Sequence, residues 1–178
     1  MDKGATTPAG IRAHLAADGR LQEEINRALE DFADSLPGST GLRLVTALAE
    51  TLDPSWTEHV SFQEHVVFPI VVKRHAGTKD IAAVIDRLQR EHAELSERHS
   101  EVAERLDDYL NGSSHDAETL GYLLRSAFEF RGRHLESEQR LDGLLPRLFT
   151  PSDLALFNDW TASRPRARFP VNLLKLRH

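Results

Sequence analysis

His59–Pro69 reads HVSFQEHVVFP, and His134–Pro146 reads HLESEQRLDGLLP. In each, a His stands four residues before an amide or acid, Gln63 or Glu138, and the segment then runs apolar into a proline. Residues four apart on a helix project the same way. Each segment can therefore aim two polar side chains at one point inside a helical bundle. The second pair is a competent metal-binding pair as it stands. The first has a neutral amide where a carboxylate would serve better.

The surrounding chain supplies the bundle. Strand signals are scarce, and apolar residues recur every three or four positions. The pattern predicts a first helix over about Ile11–Leu36, stopped by Pro37-Gly38. A second runs over about Thr40–Leu52, is interrupted at Asp53-Pro54-Ser55, and resumes through Lys73, with Pro54 either starting the resumed helix or kinking one longer rod. A turn at Gly77-Thr78 leads to a third over about Asp80–Leu110, ended by Asn111-Gly112. A fourth spans about Asp116–Leu145. Ser152 reads as the N-cap of a short helix through Trp160, and RPRARFPVNLLKLRH reads as an extended tail. Four long helices with short turns imply an all-α, up-down-up-down four-helix bundle over residues 1–150, with a short helix and basic tail over 151–178. His59 and His134 are 75 residues apart, each late in the second helix of a pair, which is a faint internal repeat.

The inward stripe of the third helix is Ile85, Leu88, His92, Leu95, His99, Val102, Leu106 and Tyr109. His92 and His99 stand about 10 Å apart along the axis, so one metal ion cannot use both. The fourth helix turns Leu124, Ala127, Arg131, His134, Glu138 and Leu141 inward, and the second turns Trp56, His59, Gln63, Val66 and Ile70 inward. Burying so many polar groups is costly unless they bind each other, water or a metal. Imidazole with carboxylate suits iron, manganese or zinc. Arg131 is a candidate anchor for an anionic substrate or a counter-charge to Glu138, or else a bundle-end arginine with its head in water. His65 reads as a surface residue, His75 and His115 as turn residues, and Trp56 and Phe62 as core.

Composition excludes several classes. There is no Cys, hence no disulfide, thiolate site or Cys nucleophile. No apolar run reaches the roughly 18 residues of a membrane span, and the N-terminus lacks a signal-peptide core; a soluble, cytoplasmic protein is the expectation. The net charge is −6, which argues against nucleic acid as a partner. Five Lys/Arg and no acid lie between Arg164 and His178, leaving about −11 on the preceding body. Such a tail would suit the acidic surface of a second copy in a homodimer, a membrane surface or nucleic acid, or solvent.

These motifs resemble the haemerythrin-like (HHE) cation-binding family, in which the four helices carry a His, an HxxxE, a His and an HxxxE. Val67-Phe68-Pro69 and Leu144-Leu145-Pro146 match the family's Leu-Phe-Pro-like endings, and Gln89-Arg90-Glu91-His92 matches its third-helix motif. The resemblance covers about Ile11–Pro146. It implies that His59, His92, His134 and Glu138 take metal-ligand positions. The chain departs from the pattern twice. Gln63 stands in place of the second-helix carboxylate, and a neutral amide bridges two cations poorly. Glu64 is adjacent but points about 100° away. In the first helix, IRAHLAADG aligns Asp18-Gly19 with an Asp-His pair, so Gly19 replaces the His; His14 is the other candidate.

Three arrangements follow. A single ion can sit on His92, His134 and Glu138 with His59 as fourth ligand. A di-iron centre can be rebuilt with His14 and Asp18 or Glu23. Or the space at Gly19 can admit a larger cofactor, even haem on an axial His. The favoured expectation is a non-haem iron site, mononuclear or an atypical dinuclear one, that binds, senses or reacts with O2, NO or peroxide. An enzymatic oxidation would use the same pocket. The alternatives are a haem-binding bundle and a metal-free bundle acting as an interaction or regulatory protein.

Overall fold

A computed structural model of the chain describes residues 8–38, 41–112, 117–164 and Leu173. The elements are α1 (Pro8–Ser35), α2 (Leu42–Phe62), a π turn (Gln63–Val67), α3 (Phe68–Arg74), α4 (Lys79–Leu110), α5 (Ala117–Asp142) and α6 (Pro151–Ala162). No strand occurs among the described residues. The helical rods pack in a ring, α1 on α2, α2 on α4, α4 on α5 and α5 on α1, as the periodicity requires of an antiparallel four-helix bundle.

Pro54 does not break the second rod. It lies inside α2. The missing amide hydrogen costs a helix interior about 3 kcal/mol. Against that, Leu48, Leu52 and Trp56 are buried on the core side of the same helix, and each fully buried side chain contributes roughly 1.5–3 kcal/mol. The tertiary term wins. The expected interruption at Asp53-Pro54-Ser55 is therefore absent. The rod instead changes its winding ten residues later, at the Gln63–Val67 π turn. A π turn widens the helix by about one residue and recurs at functional sites.

Two further boundaries differ from expectation. The fourth rod ends at Asp142, not Leu145. The last helix is capped by Thr150 rather than Ser152: the Thr150 hydroxyl accepts from the Asp153 amide and the Asp153 carboxylate accepts from the Thr150 amide, the reciprocal arrangement of a capping box. Asp153 also takes an ion pair from Arg74 at 2.7 Å, which ties α6 to the end of α3. His115 and all of the basic tail beyond Arg164 except Leu173 lie outside the described residues.

The core is divided. One cluster, with Ile25, Leu29, Phe32, Leu48, Leu106 and Leu124, fills one end of the bundle, and Leu173 is buried with it. A second, with Phe62, Val66, Phe68, Leu88, Phe157 and Trp160, fills the other end beneath α6. Asp18, His59, His92, His134 and Glu138 fall between the two in sequence on every rod. The polar residues thus form a layer closed on both sides by hydrocarbon.

Replacing Phe32 by Ala should show how far the first cluster carries the fold. Phe32 is fully buried and meets Tyr109 edge-on at 5.5 Å. Phe32→Ala is expected to cost about 3–5 kcal/mol and to lower the thermal midpoint by roughly 10 °C, as read by circular dichroism.

Candidate metal centre

Three rods deliver one imidazole each to the polar layer. His59 comes from the last turn of α2, His92 from the middle of α4 and His134 from α5. Glu138 follows His134 by one turn. One ligand atom from each of the four lies within 4.8 Å of every other, and all four residues are buried. Two metal–ligand bonds of about 2.0–2.2 Å span about 4 Å, so the spacing suits one shared ion.

The orientation of the rings is held from behind. His59 Nδ1 donates to Asp18 Oδ2 at 2.7 Å. His92 Nδ1 donates to Glu64 Oε1 at 2.9 Å. His134 Nδ1 donates to Glu91 Oε2 at 2.8 Å. A carboxylate on Nδ1 keeps the proton there and leaves the Nε2 lone pair facing inward. The three Nε2 atoms then meet the Glu138 carboxylate at 2.8, 3.0 and 3.2 Å. For His59 and His134 these approaches lack hydrogen-bond alignment, and both Nε2 atoms are buried without a hydrogen-bond partner. Lone pairs that converge on a carboxylate need a positive charge between them. A proton or a metal ion meets that need, and the donor set fits a first-row divalent ion.

The electrostatics agree. Burial pushes the His59 imidazole down, but Glu138 and Asp18 outweigh it and hold it up at about 10. Burial alone would raise Glu138; the charged His59 and the close approach of the three imidazoles instead hold it well below the usual carboxylate range. Without a metal, the layer therefore neutralises Glu138 with a proton on imidazole.

Trp56 closes one side. Its ring stacks on His59 at 4.9 Å and meets His92 and His134 edge-on at 5.7 and 5.6 Å. Its indole N–H donates to Ser96 Oγ at 3.1 Å. Phe68, just past the π turn, lies parallel to His92 at 5.7 Å. These rings are core, as expected of Trp56, and also exclude water from the imidazoles.

The other candidates separate from this group. His14 is not brought to it: its ring packs edge-on against Phe62, Trp160 and Phe157 at 4.4, 5.0 and 5.7 Å, and burial lowers its pKa. The reason is register, since His14 lies one turn before Asp18, the α1 residue that does reach His59. Gln63 is buried beside the group and is a hydrogen-bond partner of Asp142, leaving its own Oε1 unpartnered. Arg131 is fully buried, so the head does not reach water. Its guanidinium donates to Gln22 Oε1 and, at 3.2 Å, to His99 Nε2, and it lies 5.0 Å over the Trp56 ring. It stands behind Trp56 and is committed to protein partners, not to a ligand. His99 is kept neutral beside it: burial, and then Arg131, lower its pKa well below the ordinary value. His65 is exposed and bonded to Ser61.

The supporting acids were only half legible. Asp18 and Glu91 stand in the Asp18-Gly19 and Glu91-His92 pairs, but as acceptors from imidazole, not as ligands. Glu64 was expected to point away. It does leave the Gln63 direction, and that is what carries it to His92.

Gly19 leaves space. Nothing lies within 4 Å of where its Cβ would be, and a cavity of about 30 Å³ opens there, lined by Gly19, Asp18, His59, Gln63, Glu138 and Asp142 among others. Burial, and then the charge of Glu138, push the Asp142 carboxyl up to about 7.

No curated protein and no solved structure matches the chain significantly. A family model does, over residues 11–147, the stretch that contains all four ligand candidates and their three supporting acids. With a helical bundle, a buried three-His, one-Glu group and that match, the chain belongs to the hemerythrin HHE cation-binding domain family.

Proposed function

We propose that the protein holds one non-haem iron ion on His59, His92, His134 and Glu138, and that the ion binds O2, NO or peroxide on the side facing the Gly19 cavity. The observation that carries this reading is the triple arrangement of carboxylate, imidazole and inward Nε2 around a single acid. Iron there would supply a Lewis-acidic, redox-active centre. The rest is done by this chain. Asp18, Glu64 and Glu91 fix the tautomers and strengthen the imidazoles as donors. Trp56 and Phe68 keep water from the rings.

Two substitutions favour a single ion. A dinuclear centre needs anionic bridges and ligands on both sides. Gly19 offers no side chain, and the buried Gln63 offers a neutral amide. His14, the other first-helix candidate, is engaged with Phe62 and Trp160. A haem is disfavoured by size, because the cavity of about 30 Å³ is far below the roughly 300 Å³ and more of a cofactor pocket.

Protein purified from iron-supplemented cells without chelator should contain close to one iron per chain by elemental analysis. It should lack the near-ultraviolet bands of an oxo-bridged pair and the Soret band of haem. His134→Ala should lose the metal, and Glu91→Gln, which keeps every ligand, should bind it about 10–100-fold more weakly. Full metal content in His134→Ala would overturn the ligand assignment. The double variant Gly19→His/Gln63→Glu restores the family pattern and is expected to take up a second iron; a parent protein that already holds two would refute the mononuclear reading.

A further inference from the structure

The Gly19 cavity has a polar wall in which the donors are already engaged and acceptors are left over. Asp18 Oδ2 is bonded by His59 and Oδ1 by Gln22, at 3.1 Å. Glu138 faces the three imidazoles. At the mouth, the Gln139 amide nitrogen donates to Glu23 at 3.2 Å. Gln63 and Asp142 bond to each other, and above about pH 7, where Asp142 is a carboxylate and accepts, the amide nitrogen is the donor. Two buried oxygens then remain without a partner, Gln63 Oε1 and Asp142 Oδ1. No Lys or Arg lines the cavity.

Size limits the guest further. About 10–15 Å³ of such space holds one water, so about 30 Å³ holds two heavy atoms. A molecule that satisfies the wall must donate at both ends and carry no negative charge.

We infer that the Gly19 cavity is a binding site for a two-heavy-atom protic molecule, neutral or cationic, the class to which hydrogen peroxide and hydroxylamine belong. Molecular oxygen and nitric oxide have no hydrogen to donate. Azide and nitrite exceed two heavy atoms and, like superoxide, have no hydrogen to donate. The inference narrows the ligand class of the proposed metal site and rests on that reading for what the guest would meet there; the cavity itself is built from Gly19, Gln63 and Asp142.

The test uses the full chain, isotope-labelled, both metal-free and loaded with zinc, which is redox-silent. The chain has no Cys and one Met, at position 1, so hydrogen peroxide has few side chains to oxidise. Hydrogen peroxide, hydroxylamine and azide are titrated while the Gln63 side-chain amide and the Gly19 and Asp142 backbone amides are followed by NMR. Saturable shifts are expected with the first two and none with azide. Gln63→Leu should weaken peroxide binding at least ten-fold. Gly19→Leu, which fills the cavity without replacing any metal-ligand candidate, should abolish it. Azide binding to the metal-free chain as tight as peroxide, a purely linear response to peroxide, or unchanged binding in Gly19→Leu would overturn the inference. Zinc content measured on the same samples separates the two readings. Gly19-dependent peroxide binding in a protein that takes no metal would sink the metal site alone, and a zinc-loaded protein that ignores peroxide would sink the cavity alone.

Discussion

The architecture depends on one recurring contact, a carboxylate behind each inward imidazole. Asp18, Glu64 and Glu91 each take the Nδ1 proton of a His from another rod. That contact ties α1 to α2, the π turn to α4, and α4 to α5. It also decides which nitrogen faces the centre. A ring with its proton on the inner nitrogen would be a hydrogen-bond donor to Glu138 and nothing more. With the proton held outside, three lone pairs and a carboxylate share a space closed by Trp56 and by two apolar clusters, and only a positive charge makes that arrangement favourable.

Next to this layer lies a second buried positive group of a different kind. Arg131 has no acid among its hydrogen-bond partners; it rests on Gln22, on a neutral His99 and on the face of Trp56. Burial lowers its pKa and Asp18 and Glu138 oppose the fall, leaving it at about 10 and the group charged. The guanidinium offsets part of the negative charge that the three supporting acids and Glu138 gather in the bundle. The Trp56 ring keeps it from direct contact with the imidazoles.

The layer is asymmetric. The α4–α5 half keeps a full His and HxxxE complement, while the α1–α2 half has Gly19 and Gln63. Neither Gly19 nor Gln63 offers an anionic side chain, and both line an open cavity. Two oxygens beside that space, Gln63 Oε1 and Asp142 Oδ1, are without a hydrogen-bond partner. That arrangement would favour a protic guest beside a single ion over a second ion.

Much of this was legible in the residues alone. Periodicity of three and four identified the rods, and the HxxxE and Glu-His pairs named His59, His92, His134 and Glu138, because spacing along one helix determines which side chains share a face. Positions that depend on two rods at once were not legible. Glu64 was dismissed from its angle on an ideal helix, yet the π turn and the approach of α4 bring it to His92. His14 and Asp18, one turn apart, could both serve a rebuilt centre on the residues alone; the packing of α1 places one among aromatic rings and the other on His59. Pro54 marked a break that core burial overrode. The linear chain determined which groups could converge, since helical repeat is a local property; only tertiary packing decided which did, because the depth and rotation of each rod are set by the side chains of its neighbours.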